Sequence, residues 1–400
     1  MNALVINCGS SSIKFQLFKM PGGDLLASGK AEQGKEKEFD FLFNFKNKQL
    51  SRTKSAYAYS EVLIEIISEL SNPENECIIS VSEIDIVGHR LIHGGETGTE
   101  CSEITPELIS NMKSSVMLAP LHYPANLEGI ETVTKLMPEV LQMGVFDTAF
   151  HQTIPEKAFL YGISKEWYQK YKIRRYGFHG TSHKFVSRNA CELAGISLNN
   201  SKIITCHLGN GSSIAAIKNG VSVDTSMGMT PVEGLLMGTR SGDIDAGVLL
   251  YIQEKFNKSA KDIQQIINKE GGLLGLSGVS GDFRKVQQSA KNGDIDSQVA
   301  LDVFYYRIKK YIGAYIAVLE GLDVLVFTGG IGENCSDARK IICGGFEFFG
   351  IQISEVLNEM ANGSEKIIST PESRIKVVVV STNEELMIAR EIYKLAKSKL

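Results

Sequence analysis

Three glycine- and serine-rich turns stand where apolar runs end: Gly9 to Ser12, Gly209 to Ser213, and Gly329-Gly330-Ile331-Gly332-Glu333-Asn334. Turns of this kind expose backbone N–H groups and hydroxyls to an anion, and glycine permits its close approach. The third turn leaves a strand and enters a helix near Ser336, a favourable place for a nucleotide. No Gly-x-x-x-x-Gly-Lys-Ser/Thr run occurs, and Gly209-Asn210-Gly211 lacks the third glycine of a dinucleotide fingerprint. Any one such turn is more often structural. The three together, with Lys14 beside the first, point to phosphate binding.

The seven histidines, His89, His93, His122, His151, His179, His183 and His207, all fall in the middle of the chain. His89/His93 and His179/His183 have helical spacing, but Arg90 and Gly180 stand where a His-Glu-x-x-His zinc site needs glutamate. Gly177 and Gly180 also argue against a helix across the second pair. A lone histidine is usually structural, so His89, His93, His151 and His183 stay unassigned. His122, His179 and His207 lie beside proline or glycine turns, where a polar ring can face a cleft. Arg240, within Met237-Gly238-Thr239-Arg240-Ser241-Gly242-Asp243, has room to reach a ligand, and arginine's planar fork suits carboxylate or phosphate oxygens. Arg90 is of the same interest. Asp147 follows the strand Gln142 to Phe146, at a strand end where catalytic acids of open α/β sheets lie.

The elements that must position these groups alternate between strand and helix, which predicts a layered α/β architecture. Leu4-Val5-Ile6 reads as a strand, and Ile13, Phe15 and Leu17 alternate with Lys14 and Gln16, so a β-hairpin is expected with Lys14 on its outer face. Phe39, Phe41, Phe43 and Phe45 mark one aromatic face of a strand packed on a helix. Helices are expected from Ser60, with Val62, Leu63, Ile66, Ile67 and Leu70 on one side, and from about Ser297 to Leu319, feeding a buried strand Val324 to Phe327. Ile6-Asn7-Cys8-Gly9-Ser10-Ser11-Ser12-Ile13 also echoes Cys206-His207-Leu208-Gly209-Asn210-Gly211-Ser212-Ser213-Ile214, as two duplicated domains would require.

Composition narrows the classes. A chain of 400 residues is long enough for two domains. Its net charge of −4, from 42 basic and 46 acidic residues, weighs against a nucleic-acid partner. The seven scattered cysteines form no Cys-x-x-Cys pair, which fits free thiols in a reducing compartment. No apolar run is long enough to span a bilayer, and Met1 to Phe18 lacks the pattern of a secretory signal. A cytoplasmic protein with no membrane partner is expected.

Read together, these stretches resemble the acetate kinases. The resemblance is carried by Asn7 to Lys14, Arg90-Leu91-Ile92-His93-Gly94-Gly95, Phe146-Asp147-Thr148-Ala149-Phe150-His151 and Gly177-Phe178-His179-Gly180-Thr181-Ser182-His183. It continues through His207 to Ser213, Met237 to Asp243, Gly329 to Asn334 and Thr382-Asn383-Glu384-Glu385, in order along the whole chain. It implies two related actin-like (ribonuclease H-like) α/β domains flanking a nucleotide cleft. One would span 1–150, completed by a C-terminal helix at about 385–400, and the other, nucleotide-binding, 151–384. A homodimer is implied as well.

Position by position, the resemblance assigns Asn7 and Glu384 to a Mg²⁺ site, with Mn²⁺ an alternative ion, and Lys14 to the phosphates. Arg90 would hold the acyl carboxylate, with Ile92, Leu121, Phe178 and Pro231 around its methyl group. His207, Leu208, Gly209, Asn210 and Gly211 would line the phosphates of ATP or ADP. Asp282, Phe283 and Arg284 with Gly330, Ile331, Gly332, Glu333 and Asn334 would hold the adenosine. Arg240 and His179 would stabilise the transferring phosphoryl, Asp147 would be the essential acid, and His122 would assist near the carboxylate. Tyr123 stands where the family commonly has asparagine and is expected at the pocket's edge. A carboxylate acceptor is already ionised at neutral pH, so Asp147 is expected to orient the nucleophile or a bound water and not to act as a base. Propionate or butyrate is the alternative acceptor, a non-catalytic ATP-gated binding module the alternative of another class, and a zinc hydrolase a distant third.

Overall fold

Ile13, Phe15 and Leu17 enter the core and Lys14 stays exposed, as the alternation along this stretch requires. The computed structural model describes residues 1–9, 12–34, 38–46, 48–55, 58–96, 101–114 and 123–399. The chain divides into two units, Met1–Ala149 with Asn383–Leu400, and Phe150–Thr382.

In the first unit the strands are β1 (Asn2–Cys8), β2 (Ser12–Lys19), β3 (Asp24–Gln33), β4 (Glu38–Phe45), β5 (Lys48–Ser55), β6 (Ile86–Leu91), β7 (Cys101–Glu103) and β8 (Leu141–Phe146). They form one sheet in the order β5-β4-β3-β2-β1-β6-β8-β7. Successive strands from β1 to β5 are antiparallel, whereas β6 lies parallel to β1 and β8 parallel to β6. Parallel neighbours need crossovers, and the helices Tyr59–Leu70 and Tyr123–Leu136 lie on those connections. Val62, Leu63, Ile66, Ile67 and Leu70 share a buried cluster with Phe39, Phe41, Phe43 and Phe45, so the aromatic face packs on the helix as expected.

The second unit holds β9 (Lys202–Leu208), β10 (Ser212–Lys218), β11 (Val221–Thr225), β12 (Val324–Thr328), β13 (Lys366–Ile367) and β14 (Lys376–Val379), in the order β11-β10-β9-β12-β14-β13. The run β11-β10-β9-β12-β14 repeats β3-β2-β1-β6-β8 in order and in sense. β1 and β9 even share one burial pattern, with Asn7 and His207 half-buried at matching positions. The internal echo in the sequence is thus a duplicated sheet. β12 is buried along its length, as a central strand covered on both faces must be. The helix Ile295–Leu319, which buries Leu301, Phe304, Ile308, Ile312 and Ile316, packs on β10 and β9.

Each repeat sends its last helix to the other's sheet. Gly180–Ala194 follows β8 in the chain but packs on β9, β12 and β14, and Glu384–Lys399 follows β14 but packs on β1, β2, β6 and β8. The exchange brings Glu384 to the sheet that carries Arg90. Two details depart from expectation. Gly329–Asn334 is a helical turn in its own right, followed by the helix Ser336–Cys343. A helix does begin at Gly180, because His179 takes the left-handed conformation (φ 56°) and leaves the first turn to glycine.

Candidate active site

In the first unit, Arg90 stands near the end of β6 and Asp147 directly after β8, the neighbouring parallel strand. Parallel pairing puts both side chains at the same edge of the sheet. Arg90 donates from Nε to Asp147 Oδ1 at 2.9 Å and from Nη2 to Oδ2 at 2.8 Å. Its Nη1 lies 3.2 Å from Glu384 Oε2. Burial opposes the charge on Arg90, but Asp147 and Glu384 outweigh it and hold the guanidinium firmly protonated. Burial also pushes the Glu384 carboxyl up to about 7, with Asp147 and Glu385 acting the same way against Arg90 and Lys14. Asn7 pairs with Lys14 in the hairpin register. Asn126 stiffens the group, donating to the Cys8 carbonyl at 3.0 Å and to the Arg90 carbonyl at 3.3 Å.

In the second unit, histidines and hydroxyls form a linked array. His179 and His207 stack with centroids 4.4 Å apart. His179 Nδ1 meets Ser213 Oγ at 2.9 Å, and Ser213 Oγ meets His183 Nε2 at 2.8 Å. His207 Nδ1 meets Ser182 Oγ at 2.8 Å. Arg240 and His179 converge on Gly211, where an added Cβ would lie 3.5 Å from Arg240 Nη1 and 3.6 Å from His179 Nε2. Among the described residues, the Arg240 guanidinium meets the Pro231 carbonyl at 3.3 Å and the Met237 sulfur at 3.7 Å, and no carboxylate. Burial lowers its pKa accordingly. A largely enclosed cation without a counter-ion favours an incoming anion.

Beside Gly211 opens a cavity of about 640 Å³ lined by Gly209, Asn210, Asp282, Phe283, Gly330 and Asn334, among others. That volume suits a nucleotide-sized ligand. Asp282 caps the helix Phe283–Lys291 by accepting from the Arg284 N–H at 2.9 Å, which sets this wall. The Arg240 loop is joined to it, since Gly238 N donates to the Asn210 carbonyl at 3.0 Å. Any side chain at Gly238 would strike Asn210 Oδ1, only 2.0 Å from the added Cβ.

The acetokinase family model matches residues 2–390. The chain belongs to the acetokinase family. It is therefore a phosphotransferase with a nucleotide as co-substrate, built on the mixed α/β fold of this family. It is 51% identical over 395 residues to an acetate kinase of Azobacteroides pseudotrichonymphae genomovar. CFP2, covering 97% of this chain and 98% of that one. The crystal structure of Porphyromonas gingivalis acetate kinase matches with a TM-score of 0.92 at 47% identity, covering 99% of both chains. A propionate kinase from Francisella tularensis subsp. tularensis SCHU S4 matches with a TM-score of 0.90 at 39% identity over 98% of each.

Set against the acetokinase resemblance, the structure gathers Arg90, Asp147 and Glu384, and separately His179, His207, Gly211 and Arg240. Ile331 and Arg284 also line the nucleotide-sized cavity. The Leu208 side chain is fully buried in the core and offers a ligand only its backbone. Glu333 is occupied within the protein: its Oε1 accepts from Gly329 N at 2.9 Å, Thr382 N at 3.1 Å and Thr328 Oγ1 at 3.3 Å. The Gly332 carbonyl is taken by Arg339 Nη1 at 2.8 Å. Tyr123 is buried and donates to the His93 carbonyl. Ile92 is buried after β6, while Phe178 and Pro231 belong to the second unit. Leu121 and His122 lie outside the described residues, as do Ser10 and Ser11 of the first turn.

Arg339 is the residue that sequence reading missed. It is wholly buried without a carboxylate among the described residues. Its fork binds the Gly332 and Glu333 carbonyls at 2.8 and 3.0 Å and both Asn358 oxygens at 2.7 and 2.6 Å. It satisfies the carbonyl end of the turn Gly329–Asn334 that walls the cavity. Nothing in its neighbours along the chain, Ala338 and Lys340, signals that role.

Proposed function

We propose that this chain transfers the γ-phosphoryl group of ATP to acetate, reversibly, giving acetyl phosphate and ADP. The observation that carries the reading is the Arg240 guanidinium, which meets no carboxylate among the described residues and borders Gly211 as His179 does, beside a nucleotide-sized cavity. In this reading the second unit is the nucleotide-binding domain. Asp282, Phe283, Arg284, Gly330, Ile331 and Asn334 surround the adenosine, the backbone from His207 to Gly211 follows the phosphates, and Arg240 and His179 steady the phosphoryl in flight. Phosphoryl transfer needs in-line placement and neutralised charge on the equatorial oxygens, which is what this set supplies.

The first unit holds the acceptor. Arg90 binds the carboxylate, and Asp147 fixes Arg90 and orients the nucleophile. Acetate arrives ionised, so no base is required. Asn7 and Glu384 offer hard oxygen donors of the kind Mg²⁺ prefers. An anionic acceptor entering beside Asp147, Glu384 and Glu385 adds to an existing negative excess, which a divalent cation fits. Bound there, Mg²⁺ or Mn²⁺ would neutralise phosphate charge.

Propionate is the second reading, favoured by the close likeness to the Francisella propionate kinase. A homodimer is part of the proposal. The helix Ala246–Lys255 buries none of its residues, and Leu250 and Tyr251 on it are 60% and 59% exposed. An apolar surface of that kind suits a second copy. No described helix is long and apolar enough to cross a membrane, and we place the enzyme in the cytoplasm. Acetate-dependent release of ADP from ATP, with acyl phosphate trapped by hydroxylamine, tests the function. ATP turnover indifferent to any carboxylate would defeat it.

A further inference from the structure

We propose that Glu233 and Asp243 are positioning residues, two carboxylates that clamp the loop carrying Arg240 at its two ends. Neither touches the guanidinium; together they hold it where an anionic ligand meets it. The proposal rests on the reading above that Arg240 steadies the transferring phosphoryl.

The loop is closed on itself. Gly234 N donates to Asp243 Oδ1 at 2.8 Å, and Asp243 N donates to the Gly234 carbonyl at 2.9 Å. Between these ends Leu235, Leu236 and Met237 are buried and anchor the tip. The Arg240 guanidinium reaches the Pro231 carbonyl and the Met237 sulfur, both within the stretch from Pro231 to Asp243. Among the described residues no group outside that stretch holds it by a hydrogen bond. Its place therefore follows from the place of the loop.

The two acids tie the loop to the rest of the unit. Asp243 Oδ2 accepts from the Tyr311 hydroxyl at 2.8 Å, and Arg307 Nη1 donates to the Asp243 carbonyl at 3.0 Å. Arg307 and Tyr311 stand at i,i+4 on the helix Ile295–Leu319, so one helix face grips both groups of Asp243. At the other end, Glu233 Oε2 accepts from the Tyr161 hydroxyl at 2.6 Å and Oε1 accepts from Arg175 Nη2. The Tyr161 hydroxyl accepts in turn from Met229 N at 2.8 Å, and Arg175 Nη1 donates to the Thr225 carbonyl at 2.8 Å. A side chain at Gly228 would strike Glu233 and the Tyr161 hydroxyl, so this end closes only over glycine. Burial and the facing carboxylate push both phenols up, which keeps each a donor. The clamps do two things. They fix the loop, and they keep two carboxylates close in sequence off the cation, which meets none among the described residues. An acid paired with Arg240 would cancel the charge that a phosphoryl group needs.

Acyl phosphate formation by the full chain, in single variants and in an Arg240→Lys background, tests the clamp. A misplacement of about 1 Å can cost about a hundredfold in rate. Asp243→Ala and Glu233→Ala should each lower kcat at least roughly tenfold and leave both KM values unchanged. Asp243→Asn keeps an oxygen for the Gly234 N–H and an amide that the Tyr311 hydroxyl can accept from, so it should recover most of the loss. In the Arg240→Lys background Asp243→Ala should bring no further loss. Full kcat in Asp243→Ala, or an equal loss in both backgrounds, overturns the proposal. The clamp is also read without turnover. In nitrogen-15 NMR of arginine-labelled protein, the Arg240 Nε–H signal, assigned by its loss in Arg240→Lys, should shift or broaden in Asp243→Ala and in the milder Tyr311→Phe. A signal unmoved in both overturns the proposal as well. A signal that moves in a protein forming no acyl phosphate would support the clamp and defeat the reaction assignment instead.

Discussion

Arg90 grips Asp147 with two arms, Nε to Oδ1 at 2.9 Å and Nη2 to Oδ2 at 2.8 Å, while Nη1 faces Glu384 at 3.2 Å. A guanidinium has five N–H donors. Asp147 takes two of them through Nε and Nη2, which leaves one on Nη2 and two on Nη1, the nitrogen that Glu384 faces. The two-armed grip fixes the plane of the Arg90 guanidinium.

Asp147→Asn keeps the shape but turns one accepting oxygen into a donor against Arg90. Breaking a largely buried pair in this way costs about 3–5 kcal/mol, so kcat/KM for acetate should fall by at least about a hundredfold. A pH–rate profile checks the role. Raising the pH or adding an external base should restore nothing, because no proton is taken from acetate. Rescue by base would assign Asp147 to general-base chemistry.

Glu384 couples the site to pH. Its folded value, raised from 4.5 to about 7, means that the folded protein holds a proton that the unfolded chain has released between those values. Stability from this group is complete at low pH and is lost as pH rises through about 7. A divalent cation prefers the ionised carboxylate, so Mg²⁺ should offset that loss and bind more tightly at pH 8 than at pH 6. Thermal melts across this range, with and without Mg²⁺, should show the crossing trends. Glu384→Gln should flatten both. Mg²⁺ affinity independent of pH would remove Glu384 from the metal site.

Arg339→Lys keeps the charge and loses the fork that holds Gly332, Glu333 and Asn358. Lost hydrogen bonds to a charged group should cost about 2–3 kcal/mol of stability. The wall Gly329–Asn334 should loosen, raising KM for ATP several-fold with KM for acetate unchanged. Equal effects on both constants would deny Arg339 a specific role at the nucleotide.

Much of this was legible in the chain because it is local. The period of two in Ile13, Phe15 and Leu17 and in Phe39 to Phe45, and the helical period from Val62 to Leu70, each report which side is buried. Asp147 showed itself by standing at the end of an apolar run. What pairs with what was not local. Arg90 and Asp147 are 57 residues apart, and no pattern along the chain states that β6 and β8 are neighbours. Glu333 reads as one more polar residue of a glycine turn, and only the fold shows its carboxylate spent on Gly329 and Thr382. Likewise, spacing suggested a His179/His183 pair, but the hydroxyl of Ser213 that joins them comes from β10.

Leu250 and Tyr251 test the assembly. If a second copy covers the helix Ala246–Lys255, the double substitution Leu250→Glu with Tyr251→Glu should yield monomers in sedimentation velocity. The helix buries none of its residues within the chain, so the fold itself should keep its melting temperature within a few degrees. An unchanged dimer would place the interface elsewhere.

The central claim is the acceptor, and a carboxylate series measures it most directly. Acyl phosphate formed from ATP should be trapped with hydroxylamine for acetate, propionate and butyrate, and kcat/KM compared. One extra methylene changes transition-state binding by about 1–3 kcal/mol. The account predicts acetate first, propionate lower by roughly tenfold or more, and butyrate lower still. Propionate equal to or better than acetate would contradict it.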